Sequence, residues 1–120
     1  MATLIYTHDS AIAHDPGPGH PERPDRMRAV LKALSASGAV IAAIDAVVAG
    51  EANSAFCAVR PPGHHAEPGR GMGFCLLNSV AIGAQHARHA HGIDRVAIVD
   101  FDVHHGNGTQ AAFWDDPNVM

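Results

Sequence analysis

Apolar positions along the chain fall into two periods, and the switches between them mark the elements. Met27, Val30, Leu31 and Leu34 recur at i, i+3, i+4 and i+7. This spacing predicts a core-facing helix entered through the prolines at 21–24 and stopped at Gly38. Val40, Ile41, Ile44, Val47 and Val48 predict a second such helix before Gly50. A third runs from about Asn78 to His91 and stops at Gly92. Segments at 3–6, 56–59 and 95–102, the last built on the apolar run Val96-Ala97-Ile98-Val99, read as strands, the first followed by a loop over 7–20 rich in Pro, Gly, Asp and His. A last short helix, 109–114, follows the turn Gly106-Asn107-Gly108 and is closed by Asp115-Asp116-Pro117.

Strand 56–59, helix 78–91 and strand 95–102 form a βαβ pattern, which implies parallel strands buried on both faces. The expected class is therefore α/β, with a parallel sheet flanked by helices. In such a sheet ligands bind beyond the carboxyl ends of the strands. Two polar clusters emerge at those ends: Arg60-Pro61-Pro62-Gly63-His64-His65-Ala66, and Asp100-Phe101-Asp102-Val103-His104-His105-Gly106-Asn107. Either alone could be a solvated turn. A shared rim makes them one candidate site.

On a strand, Asp100, Asp102 and His104 share one face while Phe101 and Val103 take the other. Buried carboxylates need a cation or donors to compensate them, and an oxygen-plus-nitrogen set suits zinc or a similar divalent ion. Asp102 and His104 supply one ligand each. A catalytic zinc has three protein ligands and an open position, so the set is incomplete. The tandem His64-His65 offers a general base and a general acid, and Asp100 is placed to accept a ring N–H from His64.

Composition narrows the partners. The chain has 120 residues and a net charge of −4, with eight scattered Lys and Arg, so it lacks the basic patch that grips a phosphate backbone. Nucleic-acid binding is not expected, and cationic substrates are weakly favoured. Two cysteines, Cys57 and Cys75, lie outside any Cys-x-x-Cys spacing, which fits a reducing cytoplasm. The first residues lack a basic, long-apolar leader and no apolar run reaches membrane-spanning length, so a soluble, cytoplasmic protein without membrane contact is expected. His86 and His89 read as surface residues of the third helix.

The segments 60–66, Gly73-Phe74-Cys75-Leu76-Leu77-Asn78-Ser79-Val80-Ala81 and Val99-Asp100-Phe101-Asp102-Val103-His104-His105-Gly106-Asn107-Gly108-Thr109-Gln110 together resemble the zinc-dependent histone deacetylase superfamily. The likeness is closest to class II and bacterial acetylpolyamine-amidohydrolase-like members. His20-Pro21-Glu22-Arg23-Pro24-Asp25-Arg26 is similar to their early loop. The resemblance implies an arginase/deacetylase-type parallel sheet and a zinc amidohydrolase that removes acetyl or short acyl groups from lysine or polyamine amines. It makes Asp102 and His104 zinc ligands, His65 the general base and His64 its electrostatic or proton-donating partner. Asp100 would pair with His64 and join a structural potassium site with the Asp102 and His104 carbonyls. Asn107 would orient His65, Gly73 and Phe74 would wall the acyl-lysine tunnel, and Arg26 would be a buried arginine near an acetate-exit cavity.

The chain also departs from the pattern. Relatives carry a longer segment between Ser37 and Gly38 that bears an acidic rim residue. Their third zinc ligand, an Asp, and a carbonyl-polarising tyrosine lie beyond position 120, and Tyr6 cannot be assigned that role. Residues 1–120 therefore read as a single partial domain with a sheet incomplete at its C-terminal side. The alternative is a non-catalytic, truncated family member. An arginase-type dimetal site would need Asp-x-His-x-Asp, but position 106 is Gly.

Overall fold

A computed structural model describes residues 24–120. The expected strand at 3–6, the loop at 7–20 and most of the early loop lie outside the described residues. Three helices order the rest: α1 (Pro24–Val48), α2 (Ser79–His91) and α3 (Asn107–Phe113).

The first correction concerns Gly38. It does not stop a helix, and α1 runs through it for 25 residues. An interior glycine costs roughly 0.5–1 kcal/mol relative to Ala. Packing on both sides offsets this, with Ala33, Ala36 and Ser37 buried before it and Val40 and Ile44 pressing over Gly83 of α2 beyond it. Arg28–Val48, 21 residues with mean hydropathy 1.7, is by length and composition long and apolar enough to cross a membrane. The sequence expectation that no run reaches that length came from dividing this helix in two.

α1 and α2 run parallel, because their contacts advance together. Ser37 Oγ lies 3.1 Å from Ser79 Oγ, Val40 and Ile44 meet Gly83, and Asp45 meets His86 and His91. α2 begins and ends as its sequence dictates. The buried Asn78 caps it by accepting from the Ala81 N–H (3.0 Å). Gly92, at φ 68°, closes it, with Ile93 N–H donating to Ala87 and Gly92 N–H to Arg88, the pairing that satisfies orphan carbonyls at a helix end. α3 starts two residues earlier than the spacing suggests. Its Phe113 packs with Ala81 and Ala84, flanked by Val96, Ile98 and Val119. An ion pair between Arg88 and Asp116 fastens α2 to the turn after α3.

Sheet structure is sparse among the described residues. Val96 bridges Val119 in parallel, with Val96 N–H donating to Asn118 (2.9 Å) and Ile98 N–H to Met120 (2.7 Å). The expected strand at 56–59 does not form, and the one at 95–102 is confined to this short pairing. An apolar run becomes a strand only where a neighbour completes its ladder. Here Phe56, Val99 and Phe101 are 92%, 81% and 95% exposed.

Candidate active site

The site assembles where the 60–73 loop meets the N-terminus of α3. Gly108 and Thr109 N–H groups both donate to the His64 carbonyl (2.8 and 3.2 Å), joining the tandem histidines to the helix that carries Asn107. Asn78 adds a second tie, its side-chain amide donating to Thr109 Oγ1 at 3.0 Å. Positions far apart in sequence are thereby held together by the starts of two helices.

Each histidine of the pair is held at Nδ1 by a different acceptor. His64 Nδ1–H donates to Asp100 Oδ2 at 2.8 Å, and His65 Nδ1–H donates to Asn107 Oδ1 at 2.7 Å. The Asn107 amide has its orientation set from behind, because its nitrogen donates to Glu67 Oε1 (2.9 Å), a carboxylate that can only accept. Asn107 therefore presents oxygen to His65. A neutral His65 must keep its proton on Nδ1, leaving Nε2 with a free lone pair. The rings of His64 and His65 lie 4.1 Å apart, and that of His104 stands 6.1 Å from His65.

Gly73 backs this arrangement. Its φ is +56°, and a Cβ there would lie 2.3 Å from the His65 ring, so only glycine fits. Phe74 also sits at positive φ, 62°, a conformation that strains a bulky side chain, and its ring is 94% exposed. Arg26 stands on the first turn of α1 and is exposed, which corrects the expected buried arginine; among the α1 residues whose burial is described, the first buried one is Ala33.

Asp100, Asp102 and His104 converge, although not by strand alternation. Residues 102–104 are a bend in which Asp100 Oδ1 accepts from the Asp102 N–H (3.1 Å) and Asp102 Oδ1 from the His104 N–H (2.8 Å), successive Asx turns. The His104 imidazole also donates from Nδ1 to Asp102 Oδ1 at 2.9 Å. Two ligands of one zinc ion are about 3.3 Å apart in tetrahedral geometry, so this pair fits one ion after a small opening. Asp100 is held below the usual carboxylate range chiefly by the His64 hydrogen bond, against the opposing effect of burial. Asp102 is lowered first by the His104 backbone N–H and then by its imidazole. Both carboxylates are thus in the ionised form a cation requires. A cleft of ≈ 590 Å³ opens beside Asp102, His104, Phe113 and Trp114. Among the described residues no third carboxylate, imidazole or thiol joins Asp102 and His104.

Three features rest on tertiary contacts rather than on local sequence. Glu67 and Arg70, which hold each other at 2.9 Å, stand behind Asn107, and only their nearness to the tandem histidines hinted at it. Asn78 marks a helix start in the sequence, but nothing local marks its bridge to α3. Asp45, His86 and His91 form a cluster in which Asp45 on α1 lies more than 40 positions from either histidine on α2, and no local signal could have joined it to them.

The sequence matches the histone deacetylase domain over residues 10–120, and the chain belongs to the histone deacetylase family. It is 51% identical over 92 residues to a chloroplastic histone deacetylase of Arabidopsis thaliana, covering 72% of this chain and 22% of that one. A histone deacetylase-like amidohydrolase of Pseudomonas aeruginosa is 50% identical over 84 residues, 70% of this chain and 22% of the relative. A polyamine deacetylase of Rattus norvegicus is 48% identical over 85 residues, 71% of this chain and 14% of the relative. The chain thus spans about a fifth or less of the length of these relatives.

Proposed function

We propose that the protein is a zinc-dependent amidohydrolase that removes acetyl or another short acyl group from a lysine or polyamine amine. The observation that carries this reading is the histidine pair, each ring held at Nδ1 by its own acceptor beside the converging Asp102 and His104. Membership of a family whose named relatives deacetylate histones or polyamines supports it. Asp102 and His104 would hold zinc, with a carboxylate from elsewhere in the protein as third ligand, as one part of a single deacetylase domain whose parallel sheet extends the Val96–Val119 pairing. Bound there, zinc would lower the pKa of a water molecule towards about 7 and polarise the acyl carbonyl. A potassium ion beside Asp100 would be a structural addition to the same loop.

The chain's own residues supply the proton chemistry. His65 Nε2 takes the proton of the attacking water while Asn107 keeps the ring in register. A neutral amide orients the imidazole without raising its basicity as a carboxylate would. His64 gives a proton to the departing amine, with Asp100 stabilising its charged form. Gly73 and Phe74 flank the acyl-bearing chain, Phe74 projecting its ring from a strained turn. The two free cysteines fit a reducing compartment such as the cytoplasm.

A second reading, a non-catalytic family member, is favoured by the openness of the metal pair, where the His104 and Asp102 side chains are 72% and 50% exposed. One experiment separates the two. The protein expressed from its gene and loaded with zinc should release acetate from an acetyl-lysine peptide or an N-acetylated polyamine, and a hydroxamate should block it. Asp102→Ala and His104→Ala should lose both zinc and turnover. Zinc binding without turnover would establish the second reading, and turnover that persists in both variants would contradict the site.

A further inference from the structure

At the opposite end of α2 from the histidine pair lies a cluster that the proposed reaction does not use. Asp45, on the last turn of α1, receives two imidazoles from the last turns of α2. His86 Nε2 and His91 Nε2 each lie 2.6 Å from the same oxygen, Asp45 Oδ1. Their rings are 5.2 Å apart and nearly perpendicular at 84°, and both turn their Nε2 edges to this one oxygen. We propose that Asp45, His86 and His91 form a second metal site, taking zinc or a similar divalent transition ion and clamping α1 to α2.

Three observations support it. The donor set is one carboxylate and two imidazoles, the ligand types zinc takes in three-ligand sites that leave a position open for water. The three ligand atoms already lie within 4.8 Å of one another. Zinc needs about 3.3 Å between tetrahedral ligands, so the carboxylate must retreat by under an ångström, and a side chain 48% exposed has room for that. The third observation is the setting. The parallel packing of α1 and α2 brings two helix C-termini side by side, and their partial negative charge favours a cation. Without a metal, the shared oxygen is served only if both rings keep their proton on Nε2. An ion would bind both Nε2 lone pairs and the carboxylate together, moving the ring protons to Nδ1. The site shares no residue with Asp102 and His104, and His86 and His91 lie on the order of 10–18 Å beyond the start of α2 at 1.5 Å per residue.

The test uses tag-free chain carrying Asp102→Ala and His104→Ala, so that of the two metal sites proposed among the described residues only the new one remains, titrated with zinc alone by calorimetry and followed by thermal unfolding. The inference expects one zinc per chain and a midpoint raised by several degrees, as for any ligand that binds only the folded state. His86→Gln and His91→Gln should each weaken binding at least tenfold. As a check that needs no variant, nitrogen-15 shifts of His86 and His91 in the unsubstituted chain should show their Nε2 atoms changing from protonated to ligated on zinc addition. Absence of zinc binding in the doubly substituted chain, binding indifferent to His86→Gln and His91→Gln, or unmoved Nε2 resonances would each overturn it.

Discussion

Asn107 donates its amide nitrogen to Glu67 (2.9 Å), and this bond turns the amide oxygen of Asn107 toward His65. The tautomer of the histidine is thereby fixed by a carboxylate it does not touch. Nitrogen-15 spectra should show a single His65 tautomer protonated at Nδ1. Glu67→Ala, which frees the amide to rotate, should give a mixture, whereas a wild-type ring protonated at Nε2 would contradict the relay. Asn107→Asp should raise the basicity of the ring, because a carboxylate favours the charged imidazolium. The acid limb of kcat/KM should then move to higher pH.

Gly73 is the rear wall of the same histidine. Gly73→Ala forces a side chain onto positive φ, at a cost on the order of 1–2 kcal/mol, and drives the His65 ring from its place, since the added carbon would lie 2.3 Å away. Urea unfolding should show the loss of stability and the His65 resonances should shift. An unchanged midpoint with unmoved resonances would mean that the loop relaxes freely.

Asn78 serves two helices at once, capping α2 through Ala81 and reaching Thr109 at the start of α3. Loss of a cap costs about 1 kcal/mol, and here the half-buried Thr109 hydroxyl loses its partner as well. Asn78→Ala should therefore destabilise the chain by more than the cap alone, and Thr109→Val by less than Asn78→Ala. Equal effects in thermal melts would place all of the contribution in the bridge.

Much of this was legible in the sequence, and what was not has a common cause. The limits of α2 are written locally in Asn78 and Gly92, and the pairing of His64 with Asp100 followed from the motifs that carry them. The continuation of α1 through Gly38 was not legible, because Val40, Ile44 and the groove at Gly83 outweigh a local propensity. The strand expected at 56–59 needs a ladder partner that the described residues do not supply. Glu67 and Asp45 escaped notice because their roles depend on residues about 40 positions away, which only tertiary packing brings near.

Asp45 also carries a pH signature. The hydrogen bonds from His86 and then His91 hold its carboxyl below the ordinary range, outweighing the effect of burial. The folded chain therefore binds this proton at lower pH than the unfolded chain does. The stability gained is fully present above the unfolded value of about 3.9 and is lost as pH falls through the lower folded value. In EDTA, the gap between the melting curves of the wild type and Asp45→Asn should close as pH drops from about 5 towards 2. Parallel curves would show that Asp45 is not tied to the histidines in solution.

The central claim, that His65 is the base of a metal-assisted hydrolysis and His64 its partner, is tested most directly by paired single substitutions in the zinc-loaded protein, with kcat and bound zinc measured on the same samples. The account predicts that His65→Ala retains zinc and lowers kcat by on the order of 10²–10⁴-fold, the range a positioned general base supplies, while His64→Ala does less damage. A smaller loss at His65 than at His64, with zinc retained in both, would contradict it.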